Sequence, residues 1–135
     1  MDEILTLLVG RCSFLYKDRG CRFSDSKVFE SFGGDAWLTL STNYLRLKFV
    51  RDRGQIFLDF QRVSDKGDKF CYSIDIVRQF VTGEKGCSSE LNPGNVDFLK
   101  TRFAEIEELF SSKDFLKIRN QLDELKRLRS KDLFG

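Results

Sequence analysis

Between residues 44 and 61 the chain alternates with a period of two on both sides of a turn. Leu45, Leu47 and Phe49 are separated by Arg46 and Lys48, and Ile56, Leu58 and Phe60 are separated by Phe57 and Asp59. Successive side chains of a strand point to opposite faces, so each run has one aliphatic face and one mostly polar face. Arg51-Asp52-Arg53-Gly54 stands between the runs, and Gly54 is free to take the positive φ of a tight turn. The pattern predicts a β-hairpin with one buried face. Such a hairpin needs further elements to cover that face.

The rest of the chain supplies them. Residues 27–32 and 36–41 read as a second strand pair around Gly33-Gly34-Asp35, and residues 70–73 as one more strand after a polar loop at 64–69. Ahead of the strands, Ile4, Leu8, Cys12 and Leu15 recur at three- and four-residue steps, which predicts a helix over residues 3–16 with a weak point at Gly10. Ile74, Val77 and Val81 mark a helix that stops at Gly83. Residues 83–95, rich in Gly, Ser and Asn and holding the only proline, Pro93, read as a loop. Two apolar helical stripes follow, Val96-Leu99-Phe103-Ile106-Phe110 and Phe115-Ile118-Leu122-Leu125. The short Ser111-Ser112 joint makes these two helices antiparallel neighbours. The expected architecture is a single α+β domain over residues 1–135, a four- or five-stranded antiparallel sheet with an N-terminal helix and C-terminal helices packed on one face. With 14 phenylalanines its core should be rich in aromatic rings.

Composition narrows the chemistry. There is no histidine, which removes Ser-His-Asp and Cys-His nucleophile systems, HExxH zinc sites and imidazole acid–base catalysis. Cys12, Cys21, Cys71 and Cys87 contain no CxxC pair, so four free thiols and no metal site are expected. No phosphate-loop, dinucleotide or calcium-loop spacing occurs, and no cofactor is expected. The 23 basic and 21 acidic residues leave a net charge of +2, too little for a strong field toward one partner class. No apolar run approaches the roughly 20 residues of a membrane span, and the run at residues 4–9 follows Asp2 and Glu3 rather than a basic segment. The expectation is a cytoplasmic protein with no membrane contact.

Three surfaces or motifs remain as candidates. Ser24-Asp25-Ser26-Lys27 has the bare SxxK spacing of serine acyl-enzymes, but its SDN and KTG companions are missing, so no enzyme activity is expected. Residues 113–132 carry seven Lys or Arg against four acids, the pattern of a phosphate-binding helix or of a solvated helix face. This run is the basis of an alternative reading as a nucleic-acid-binding or regulatory module. The acids are interleaved and aromatic platforms are missing there, so direct nucleic-acid binding is not expected. The third candidate is the hairpin set Arg46, Lys48, Arg51, Asp52, Arg53, Phe57, Asp59 and Gln61. Pairing of Arg46 or Lys48 with Asp59 across the strands is one role for it, and recognition of a partner is the other, since arginine and aromatic rings supply most interface hot spots. Trp37 belongs to the same outer face if Leu38 and Leu40 point inward.

The stretch Ser31-Phe32-Gly33-Gly34-Asp35-Ala36, followed by Leu45-Arg46-Leu47-Lys48-Phe49-Val50-Arg51-Asp52-Arg53-Gly54-Gln55-Ile56-Phe57-Leu58-Asp59, resembles small bacterial immunity partners of polymorphic toxins, including those of contact-dependent growth inhibition systems. The helical segment Ala104-Glu105-Ile106-Glu107-Glu108-Leu109-Phe110 and the closing Leu133-Phe134-Gly135 are similar too. The resemblance implies a cytoplasmic protein without catalysis of its own. Such a protein binds one cognate toxin domain, usually a nuclease, and covers its active site or a nearby site.

Overall fold

The computed structural model describes residues 1–29 and 35–134, with side chains through Lys131. The expected end of the first strand at Phe32 and the Gly33-Gly34 turn fall outside the described residues. Five strands, β1 (Arg22–Phe29), β2 (Asp35–Ser41), β3 (Leu45–Asp52), β4 (Gln55–Arg62) and β5 (Tyr72–Ser73), form one antiparallel sheet in the order of the chain. Helices α1 (Asp2–Gly10) and α2 (Phe14–Lys17) precede the sheet. Helices α3 (Ile74–Thr82), α4 (Pro93–Ser111) and α5 (Phe115–Phe134) follow it. The architecture is α+β, as the patterning predicts.

The central hairpin keeps the predicted register and tightens its turn. Asp52 pairs with Gln55, leaving only Arg53 and Gly54 in the loop, at φ 53° and 84°. Positive φ at both central residues matches the right-handed twist of the flanking strands, which is why Gly54 sits there. Leu45, Leu47, Phe49, Leu58 and Phe60 are buried together with Ala36, Leu38 and Leu40 of β2. The stripes of α4 and α5 close over this face. Phe60 of β4, Phe110 of α4 and Phe115 of α5 stack in sequence, with ring centroids 6.3 and 5.3 Å apart.

Four boundaries differ from expectation, each for a local reason. The helix over 3–16 is broken after Gly10: Arg11 leaves helical geometry, and Cys12 N–H turns back to Leu7 and Leu8 carbonyls. Its apolar phase survives, because Ile4, Leu8, Cys12 and Leu15 are all buried. The first strand starts at Arg22 rather than Lys27, and a bulge between Phe23 and Asp25 absorbs one residue. The strand at 70–73 shrinks to Tyr72–Ser73 because Phe70 adopts φ 58° and lays its ring 3.8 Å below the Arg119 guanidinium. Helix α4 begins at Pro93, not after Asn95. Asn92 caps it by accepting from Asn95 N–H at 2.8 Å, and Pro93 stands at the first turn where its missing N–H costs nothing.

Candidate functional site

Helices bury one face of the sheet, and the register fixes what the other face displays. Trp37, Val50 and Phe57 are directly opposite one another across β2, β3 and β4. Together they form an apolar ladder whose three members are all half-buried. The neighbouring row is Thr39, Lys48, Asp59 and Ser73, and the next holds Ser41, Arg46 and Gln61. The Lys48 ammonium lies 4.9 Å from the Trp37 ring centroid, so the apolar and cationic rows are joined by a cation–π contact.

Beside the ladder the face deepens into a polar cleft of about 290 Å³. Arg46, Lys48, Asp59 and Gln61 form its floor, Gly67, Asp68 and Cys71 one wall, and Ser73 with Lys126 and Arg129 of α5 the other. The loop wall is fastened by the floor. Arg46 donates to the Val63 and Asp65 carbonyls at 3.2 and 3.0 Å, and Gln61 donates to Gly67 and Lys69 carbonyls at 3.1 and 2.8 Å. The helix wall is fastened by Arg129, which donates to the buried Asp75 carboxylate at 2.8 and 2.9 Å and to Ser73 Oγ at 2.7 Å. Lys126 donates to the Cys71 carbonyl at 3.3 Å.

Asp59 has no hydrogen-bond partner among the described residues. Burial pushes its carboxyl above the usual 3.8, Lys48, Lys126 and Arg129 pull it back, and Asp75 adds to the rise. The Cys71 thiol is also pushed up, first by burial and then by Asp59, which favours its protonated form.

The predicted hairpin set is therefore divided. Arg46, Lys48, Asp59 and Gln61 meet in the cleft, and Phe57 is in the ladder. Arg51 belongs to the opposite face: it is in register with Ala36 and Ile56, and its guanidinium pairs with Glu3 of α1 and, at 3.2 Å, with Asp35. Asp52 and Arg53 lie at the hairpin tip, where the Arg53 side chain is 93% exposed. Ser24 and Lys27 sit in the edge strand, with Ser24 Oγ bonded to the Thr39 carbonyl and Ser41 Oγ, not to Lys27. Of the cleft lining, the sequence reading missed Gly67, Asp68, Cys71 and Ser73, and it held Lys126 and Arg129 only as members of the basic run at 113–132. The one available signal was the three-residue spacing of Lys126 and Arg129, which places both on one side of a helix.

Three of the seven cations in the basic run are ion-paired within the chain, among the described residues. Arg119 pairs with Asp65 at 2.7 Å, Arg127 with Glu124 at 2.6 Å and Arg129 with Asp75 at 2.8 Å. No group of acids or cysteines placed to hold a metal ion, and no helix long and apolar enough to cross a membrane, occurs among the described residues. Compared with known proteins, the chain matches no family model, and neither a curated protein nor a solved structure matches it.

Proposed function

We propose that this chain is a non-catalytic recognition module that binds one protein partner on the open face of its sheet. Following the resemblance to toxin-immunity proteins, we take the partner to be a cognate bacterial toxin domain, met in the cytoplasm and neutralised by coverage of its active site or a neighbouring site. The observation that carries the reading is the in-register Trp37–Val50–Phe57 ladder, half-buried on a rigid sheet and flanked by Lys48, Asp52 and Arg53. Rigid aromatic rings beside cations are the composition of binding hot spots, and a strand scaffold holds them without ordering cost on association. An interface of standard size would bury about 1,600 Å² in total, with an affinity of about −12 kcal/mol if binding is nanomolar. Ion pairing of Arg119, Arg127 and Arg129 removes half of the six cations of α5 from counterion release, which weakens the nucleic-acid alternative.

The test is co-expression with a candidate toxin domain taken from a neighbouring gene. Copurification as a stoichiometric complex and rescue of growth are the expected results. Absence of both, with each protein folded, refutes the reading. Saturable binding to generic RNA or DNA at low salt with a steep salt slope would favour the alternative instead.

A further inference from the structure

We propose that the cleft between β3, β4, the 64–71 loop and the second half of α5 is an oxyanion site, taking a phosphate or carboxylate group between Lys48 and Lys126. The cleft lies beside the Trp37–Phe57 ladder and shares only Lys48 with it, so Lys126, which belongs to the cleft alone, tests this proposal apart from the partner reading.

Three observations carry it. The lining holds four cations, Arg46, Lys48, Lys126 and Arg129, against two acids, Asp59 and Asp68. The two arginines, Arg46 in the floor and Arg129 in the helix wall, are tied down: their guanidinium groups are bonded to the 63–65 carbonyls and to Asp75, and so they shape and charge the cleft. The two lysines are the ligand-facing donors. An ammonium offers three donors, Lys126 gives one to the Cys71 carbonyl, and Lys48 rests on the Trp37 ring without a hydrogen bond among the described residues. They approach from different elements, β3 and α5, yet both line the same cleft, which places the two charges beside one volume. At about 290 Å³ that volume is at the lower limit for small-molecule pockets, the right scale for one anionic group with a short attachment.

Asp59 gives the site a sign that can be checked. It faces Lys48 on β3, Lys126 and Arg129 on α5, Asp75 on α3, and Asp68 and Cys71 in the loop. Ionised, it repels an entering oxyanion. Protonated, it donates a hydrogen bond to one. Asp59→Asn, uncharged at every pH, therefore binds an oxyanion more tightly than the parent chain at pH 7.

The experiment is a titration of the isotope-labelled full chain, followed by amide NMR at constant ionic strength set with chloride, using inorganic phosphate in one arm and succinate in the other. Saturable shifts centred on Lys48, Asp59, Cys71 and Lys126 are expected. A tighter response to phosphate identifies a phosphate-bearing ligand, and an equal response identifies a generic oxyanion such as an acidic side chain; both support the site. Lys126→Gln should weaken binding about fivefold, the scale of one solvated charge contact, Asp59→Asn should tighten it, and Lys131→Gln should leave it unchanged. Unsaturating shifts in both arms, or a Lys126→Gln variant of unchanged fold and affinity, overturn the proposal. Toxin binding fails or succeeds independently of either result.

Discussion

Arg46 Nη1 donates to Gln61 Oε1 at 2.6 Å across the central hairpin, and both side chains continue into the backbone of the same loop. Gln61 is almost completely buried in this arrangement. Gln61→Leu fills the space but leaves the Gly67 and Lys69 carbonyls and one Arg46 donor without partners. An unsatisfied buried group costs about 1–3 kcal/mol, so the variant should unfold at lower urea and lose amide-exchange protection across residues 63–69. Unchanged protection there would show that the loop is held by something else.

The aromatic stack ties α4 and α5 to the sheet. Phe110 is fully buried and touches rings on both β4 and α5. Phe110→Ala should cost about 3–5 kcal/mol, and Phe110→Leu distinctly less, measured by urea denaturation. A loss below about 1 kcal/mol for alanine would mean that the α4–α5 pair packs loosely on the sheet.

Much of this frame was legible because it is periodic. The alternation of Leu45, Leu47 and Phe49 with Arg46 and Lys48 specifies strand, face and register at once, since a one-residue slip would bury the charges. The stripes of α4 and α5 are equally direct. What escaped is set by long-range contacts. Nothing near Phe70 announces that its backbone will turn left-handed to meet Arg119, 49 positions later. The cleft is half hairpin and half helix: Lys126 and Arg129 reach it only because α5 runs along β5, anchored where Tyr72 Oη donates to Asp123 at 2.6 Å. Arg51 misled for the opposite reason. Strand alternation already assigns it to the buried face with Leu47 and Phe49, but its charge makes it look like a surface residue until Glu3 and Asp35 are brought beside it.

Alkaline pH should separate the four thiols. Cys12 and Cys21 are buried, and burial pushes each thiol from 9.0 to about 11, while Cys71 and Cys87 are partly exposed. A folded value above the unfolded one stabilises the protein below pH 9, and the contribution is lost as pH rises through 11. The urea midpoint should fall over that window, less steeply in Cys12→Ala than in the parent chain. In native buffer two thiols should react readily with a thiol reagent and two only on unfolding; four fast thiols would contradict the buried placement.

Asp59 obeys the same sign rule from the acid side. Its folded value is raised by burial, so the protonated form is favoured in the fold, and the contribution present below 3.8 is lost as pH rises through the folded value. At pH 7 the ionised carboxylate is therefore a net cost, partly offset by Lys48 and Lys126. Asp59→Asn should raise the melting temperature at neutral pH by about 1–4 °C, with the gain shrinking on acidification toward pH 4. A lower melting temperature at pH 7 would mean that the lysine attraction outweighs desolvation.

Trp37 and Arg51 provide the sharpest contrast between recognition and stability, because they occupy opposite faces of one sheet. Trp37→Thr keeps a strand-forming residue and removes the ring from the open ladder. Its unfolding free energy should move by less than about 1 kcal/mol, the range of one cross-strand pair. Dissociation of the partner should quicken about 30-fold, the effect of losing a hot spot of about 2 kcal/mol. Arg51→Ala should do the reverse. It breaks the pairs with Glu3 and Asp35 that tie α1 and the start of β2 to β3, so stability should fall by about 1 kcal/mol or more while dissociation stays at the parent rate. Stopped-flow or surface-immobilised dissociation beside urea titration reads both quantities on each variant. Faster dissociation in Arg51→Ala than in Trp37→Thr would move the binding surface from the open ladder to the α1 side of the sheet.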